Sequence, residues 1–411
     1  MLKEDVSLPS AEGDLPLLRT SLLTGGGDKP YAVGLTGALL AEGICLDVIG
    51  SDDLEGAEIF QDQQVRFKNF RGNQDPNVSW IQKAVRVCRY YLRLFRYTGC
   101  TDARVFHILW ANRLIIVDRV LLIWWYRLFG KKLVFTAHNV NEGERDETDG
   151  IINRLTLRAL YRRVDHVFVH TEKIKAQLAA EFNLADTKVS VIPFGINNTL
   201  PRSTLTPAEA KAQCGFATCD KIALCFGNIA PYKGLEHAVL AMGRVRQREP
   251  DVKLIIAGRV KGCASYWMEV QETITREGLG DHLVCRTEYI PDDEVERLFK
   301  AADVLILPYR FIYQSGVLFL AYSFGLPVIA TDVGSLREHI IEGETGFICQ
   351  PENPGSLADA MVRYFGSDLY KRLDESRMHI IDYGNTKYSW DEVGRRTRRV
   401  YEELCRDAYP K

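Results

Sequence analysis

Short apolar runs separated by longer amphipathic stretches recur along the whole chain, and this rhythm restricts the fold more than any other feature. In the first half the candidate strands are 15–23, 45–49, 104–109, 133–137, 166–170 and 189–192. In the second they are 222–226, 254–257, 283–286, 304–307, 328–330 and 346–348. Many are dense in Val, Ile and Leu without polar alternation, as strands covered on both faces of a parallel sheet require. The stretches between them are long enough for crossover helices. The series β-α-β-α runs through twice and predicts an α/β protein of two doubly wound units. The seam is VIPFGINNTLPRSTLTPAEA, residues 191–210, where Pro193, Gly195, Asn197, Asn198, Pro201 and Pro207 interrupt regular structure. The expected units are 1–197 and 198–387. In such sheets ligands bind beyond the carboxyl ends of the strands, so two facing units imply a cleft.

A chain of 411 residues has room for this arrangement. Its 46% hydrophobic and 26% charged residues exclude a disordered or fibrous chain. With 52 Lys and Arg against 54 Asp and Glu, the surface as a whole has no attraction for nucleic acid. The cysteines form neither C-x-x-C nor a zinc framework, as reduced thiols of a cytosolic protein would. The N-terminal segment carries Lys3, Glu4 and Asp5 and lacks the apolar stretch of a secretory signal. The most apolar run, 114–129, is broken by Asp118, Arg119 and Arg127, whereas a spanning helix needs about 20 mostly apolar residues. A cytoplasmic location is expected, with no transmembrane segment.

Three segments carry candidate chemistry. Gly25, Gly26 and Gly27 follow the first strand and precede a helical stretch. They either allow close approach of a ligand to a helix N-terminus or simply turn the corner. GNIAPYKG, residues 227–234, follows the strand KIALCF; Gly227 and Gly234 bracket a tight loop with Asn228 inside it. Lys233 falls at the expected helix start, where an ammonium beside free amides suits phosphate oxygens. In the third, Gln314, Ser315, Gly316 and Val317 lead into an almost wholly apolar helix, 317–324, whose first amides can hold a diphosphate. Arg259 and Arg310 follow strands and face the expected cleft, as phosphate partners or as a solvated rim. Ser335 and Glu338 fit a capping box. His138 ends a strand and projects towards the cleft; His107 and His170 are weaker candidates because no motif partners them. Glu142, Glu144, Asp146, Glu147 and Asp149 form an acidic loop. There is no D-x-D and no clustered metal-ligand spacing, so no metal is expected.

Residues 81–132 hold a basic excess. In IQKAVRVCRYYLRLFR, Arg86, Arg89, Arg93 and Arg96 recur at helical spacing on one face, while Ile81, Val85, Cys88, Leu92 and Phe95 fall on another. Such a helix either docks on an anionic membrane or packs its apolar stripe on the sheet beneath.

GNIAPYKGLEHAV, ADVLILPYR, VIPFGIN and SGVLFLAYSFGLPVIATDVGSLREHIIEGETGF together resemble the retaining glycosyltransferases of the GT-B fold, family four. TGGGDKPYAVGL, TAHNV and YSWDEVGRRTRRVYEEL extend the resemblance to nearly the whole chain. It implies two facing domains with a nucleotide-sugar site between them, and a closing helix, 388–411, that returns to the first domain. It also implies that Lys233 and the backbone around Ser315 and Gly316 bind the donor diphosphate. His138 would lie near the donor sugar, and Gly26 and Gly27 near its phosphates or the acceptor. Two departures stand out. Asn228 occupies the place of a common arginine, which Arg259 or Arg310 would replace, and Ile312 and Leu320 stand where paired glutamates are usual. The implied reaction is metal-free transfer to a sugar or lipid-linked hydroxyl in surface glycan synthesis. A nucleotide-sugar epimerase, or a non-catalytic binding relative, is the alternative.

Overall fold

In a computed structural model of the chain, residues 18–75, 78–112, 114–145, 148–200, 203–260 and 262–406 are described. The N-terminal segment 1–17, Asp146, Glu147, Pro201 and residues 407–411 of the expected closing helix, all part of the sequence reading, lie outside the described residues. Seven strands form the first sheet: β1 (Arg19–Leu23), β2 (Cys45–Gly50), β3 (Val65–Asn69), β4 (Val105–Ile108), β5 (Lys132–Thr136), β6 (His166–Val169) and β7 (Val189–Val191). Six form the second: β8 (Lys221–Phe226), β9 (Val252–Ala257), β10 (Leu283–Arg286), β11 (Val304–Leu307), β12 (Val328–Thr331) and β13 (Gly346–Cys349). The orders are β3-β2-β1-β4-β5-β6-β7 and β10-β9-β8-β11-β12-β13, and the paired strands are parallel throughout. The two doubly wound α/β domains predicted from the strand rhythm are therefore present.

Burial explains the apolar runs. Every residue of β2, β4, β6, β11 and β12 is inaccessible, because helices cover both faces of each sheet. β3, absent from the strand expectations, has the sequence VRFKN and buries only Val65. It is an edge strand paired to β2 alone, so its outer side tolerates charge.

Strand order changes direction between β1 and β4 in one sheet and between β8 and β11 in the other. At such switch points the flanking connections diverge to opposite faces and leave a crevice at the strands' carboxyl ends. The loops after β1, β4, β8 and β11 are those that carry Gly25 to Gly27, Trp110, Lys233 and Arg310.

The closing helix, α7 (Trp390–Cys405), lies on the first-domain helix α1 (Lys29–Ala41); the helices α2 to α6 are introduced below. Trp390 seats its indole against Gly34 and donates from Nε1 to the Ile196 carbonyl at 2.9 Å. Arg398 donates to the Glu42 carbonyl at 2.8 Å. Tyr401 reaches the sheet itself, with its hydroxyl 2.6 Å from Nδ1 of His107, whose Nε2 is 2.7 Å from Oγ1 of Thr136. His107 is thus a buried tie between helix and sheet.

The expected capping box at Ser335 and Glu338 does not form. The Ser335 hydroxyl turns inward, its one hydrogen shared between the Tyr313 carbonyl, at 2.7 Å, and the Gln314 side-chain oxygen. A buried backbone acceptor claims the group the cap would need.

Candidate active site

The first lip of the cleft is built on the loop after β1. Gly27 leaves no room for a side chain, because a Cβ there would collide with the Trp110 indole. Asp28 caps α1 by accepting from the Tyr31 amide at 3.2 Å. Behind this loop sits an aromatic nest. Trp110 stacks on His138 with ring centroids 4.3 Å apart and an interplanar angle of 6°. Tyr31 meets His138 edge-on at 4.6 Å, and Phe194 packs on His170 at 4.9 Å.

The proton positions in this nest follow from acceptor chemistry. Nδ1 of His170 lies 3.3 Å from the Ile192 carbonyl, which can only accept, so Nδ1 carries the hydrogen. Burial holds His170 at a pKa of about 4 and His138 well below its ordinary range, so both rings are neutral near pH 7. Nε2 of His170 is then a bare acceptor, and Nδ1 of His138, 3.0 Å away, donates to it. This leaves Nε2 of His138 as a lone pair, buried and without a hydrogen-bond partner. His170, rated a weaker candidate for want of a partner, is the group that sets the His138 tautomer.

The second lip comes from β8, β11 and the helix α6 (Gly316–Ser323). Lys233 lies in a 3-10 turn, Pro231–Lys233, just ahead of its helix, α5 (Leu235–Val245), rather than within it. Its ammonium donates to the Phe226 carbonyl at 3.0 Å and sits 5.5 Å from the Tyr309 ring. The side chain is buried, and desolvation lowers its pKa to about 8. Gly227, at φ 100°, faces this amine; a Cβ there would lie 2.6 Å from Nζ of Lys233 and 3.6 Å from Cγ2 of Val317. Lys233 and the first turn of α6 therefore converge on one point. The Ser315 hydroxyl is 3.2 Å from that of Tyr309, and it does not cap α6. The first amides of α6 thus keep their free donors and the positive end of the helix dipole.

The two lips meet. The Asp28 carboxylate lies 3.4 Å from where a Cβ at Gly316 would be, and Phe194 stacks on Phe319 of α6 at 4.7 Å. Tyr313 donates at 2.6 Å to Glu144, which lies in a short helix, Glu142–Arg145, where the sequence reads as an acidic loop.

Of the residues singled out from sequence, Gly227, Lys233, Ser315, Gly316 and Val317 come together, with Gly26 and Gly27 across the gap and His138 behind them. Others do not join. The Gln314 side chain points away, its Nε2 3.0 Å from His339. Arg310 spends its guanidinium on Glu236, at 2.7 Å and 2.9 Å. Arg259 and Asn228 are exposed on the rim. Ile312 and Leu320 are buried in the core, where a carboxylate would be costly. Sequence reasoning missed Trp110, Tyr31, Tyr309 and Phe194, aromatic residues with no local signature. Among the described residues no group of three His, Cys, Asp or Glu is placed to hold a metal ion.

Residues 25–200 match the model of Glycosyltransferase Family 4, and residues 220–367 match that of Glycosyl transferases group 1. With the two facing domains, these matches define the class: the chain belongs to the glycosyltransferases of GT-B fold, family four. It is 27% identical to an uncharacterized glycosyltransferase of Methanocaldococcus jannaschii over 57% of this chain and 59% of that protein's length. It is 28% identical to the lipopolysaccharide core biosynthesis mannosyltransferase LpsB of Rhizobium meliloti, over 60% of this chain and 68% of that one. Two solved structures share the fold. Sucrose-phosphate synthase of Thermosynechococcus elongatus has a TM-score of 0.76 at 18% identity, covering 95% of this chain and 100% of its own. Anabaena HepE in complex with UDP-glucose has 0.72 at 14%, covering 94% and 100%.

Proposed function

We propose that the chain moves a sugar from a nucleoside diphosphate donor to a hydroxyl acceptor, with the anomeric configuration retained. The observation that carries this reading is the buried Lys233 amine, converging with the first turn of α6 beside Gly227. A buried cation with few protein partners, facing free helix amides, is built for an anion such as a diphosphate.

In this reading the Lys233 ammonium and the amides of Gly316 and Val317 hold the diphosphate oxygens. As the bond from the anomeric carbon to the phosphate oxygen breaks, charge grows on that oxygen, and the same donors stabilise it. The acceptor hydroxyl forms its bond to the anomeric carbon from the same face and gives its proton to the departing phosphate oxygen. Nε2 of His138 accepts from a hydroxyl of the donor sugar. No step runs through a metal. The complex of HepE with UDP-glucose and the role of LpsB in lipopolysaccharide core synthesis favour a nucleotide sugar and a surface-glycan acceptor. The family matches do not favour an epimerase.

The test is incubation with a panel of UDP-, GDP- and ADP-sugars and hydroxyl acceptors, with product analysis by NMR. Free nucleoside diphosphate and a glycoside of unchanged anomeric configuration are expected. An altered sugar still on its nucleotide, or an inverted product, would overturn the reading.

A further inference from the structure

Three helices lie side by side on one face of the first sheet: α2 (Trp80–Cys100), α3 (Leu122–Leu128), which continues a π turn over Val117–Leu121, and α4 (Ile151–Arg163). Trp125 ties α3 to α2, donating from Nε1 to the Phe95 carbonyl at 3.2 Å. Arg163 at the end of α4 lies 5.2 Å over the Trp124 ring, and Arg119 donates to Asn153 at 2.6 Å.

Each helix has two apolar faces. α2 buries Tyr90, Leu94 and Tyr97 against the sheet. Its stripe of Ile81, Val85 and Leu92 therefore points the opposite way, with Leu92 69% exposed. Of the stripe read from sequence, Phe95 alone packs inward, against Trp125 and the core; Ile81, Val85, Cys88 and Leu92 are exposed. α3 buries Leu122, Ile123 and Tyr126 and presents Trp124 and Leu128 outward, beside Leu121 at the end of the π turn, Trp124 being 59% exposed. α4 buries Leu157, Leu160 and Tyr161 and presents Ile151 and Leu155. Most exposed large apolar side chains among the described residues fall between Trp80 and Leu155. Such concentration marks a surface that something covers.

Charge selects the occupant. Arg89, Arg93 and Arg96 flank the outward stripe of α2, and Arg158 and Arg162 continue the line of Ile151 and Leu155 along α4; all five are exposed. A second copy related by two-fold symmetry would set these arginines against one another. An anionic bilayer would take the apolar side chains at its headgroup boundary and pair with the arginines. Helices that follow parallel strands start at the sheet's carboxyl edge, so Trp80 and Ile151 mark the end of the patch nearest the cleft.

We infer that the outer face of α2, α3 and α4 is a docking surface for an anionic lipid bilayer, bringing the cleft to the membrane interface. This rests on the transfer reading only in that a lipid-borne acceptor would then reach the site; the docking itself does not require it.

The test is co-sedimentation of the full chain with vesicles of phosphatidylcholine alone, or mixed with phosphatidylglycerol. The protein pellets with the mixed vesicles at low salt, stays in solution with phosphatidylcholine alone, and is released by high salt. The double variant L92E/L128E alters two side chains that are 69% and 75% exposed, so its thermal melting and nucleotide binding are unchanged. Its vesicle affinity falls about tenfold or more, since each change removes apolar contact and adds a repelled charge. No pelleting of the native chain at low salt, or equal pelleting of the variant, overturns the inference. A concentration-dependent dimer abolished by the same variant, without lipid binding, also overturns it and assigns the face to a second copy. Transfer activity is scored separately on a water-soluble acceptor, so loss of docking and loss of chemistry are told apart.

Discussion

A lysine amine withdrawn from water keeps its proton at a cost, and Lys233 bears that cost with a single carbonyl partner and an aromatic face. Its pKa of about 8 gives the site a pH dependence of definite sign. A bound diphosphate favours the charged form, so binding takes up a proton near that value and weakens as the pH rises through it. Calorimetry in buffers of different ionisation enthalpy should show proton uptake, with the dissociation constant rising between about pH 7 and about pH 9. A flat affinity across that interval contradicts the assignment. Gly227→Ala puts a methyl group against the same amine at a backbone φ that side chains rarely adopt. It should cost about 1–3 kcal/mol in urea unfolding and remove turnover. At His170 the expectation is a split. His170→Phe lets the His138 proton move, lowering kcat while leaving nucleoside diphosphate affinity unchanged. 15N NMR of the ring nitrogens reports the tautomer directly.

Among the elements, α7 shows how packing links distant parts of the sequence. Its Tyr401 hydroxyl meets His107 in the middle of the first sheet. Tyr401→Phe keeps the ring and strands the histidine nitrogen, so the urea midpoint should fall by the equivalent of about 1–3 kcal/mol with an unchanged m-value. An unaltered midpoint would mean that the contact contributes nothing. The elements also show what sequence can and cannot convey. The buried strands were legible because each is apolar on both faces. β3 was not, because Arg66 and Lys68 make an edge strand read as a polar loop. The stripe on α2 was legible as a stripe, but its direction depends on which neighbour covers the helix, and sequence periodicity holds no record of that. The Ser335 capping pattern misled for the same reason: the local motif lost to the buried Tyr313 carbonyl, a partner in another loop.

For the molecule as a whole, two domains and the place of the cleft follow from strand rhythm and its seam. The glycine loop and Lys233 were readable because tight turns and a cation need particular residues. The aromatic nest was not, since Trp110, His138, His170 and Phe194 come from four separate strand ends. Burying so many neutral histidines has a consequence for the entire fold. His107 is held at about 3 and His166 and His170 at about 4, against an ordinary 6.5, so below about pH 6.5 the unfolded chain binds more protons than the folded one. The histidine contribution to stability should therefore be level from about pH 6.5 to about pH 8, where Lys233 begins to titrate, and fall steadily beneath that interval, as urea midpoints along the pH series measure. Equal midpoints at neutral and acid pH would show the rings to be accessible. The most direct test of the account is calorimetric titration of UDP, GDP and ADP into the native chain and into Lys233→Ala. One diphosphate should bind the native protein, and the variant, melting as before, should bind it about tenfold to a hundredfold more weakly, the loss expected for one charged hydrogen-bonding partner. Equal affinity in the two proteins would contradict it.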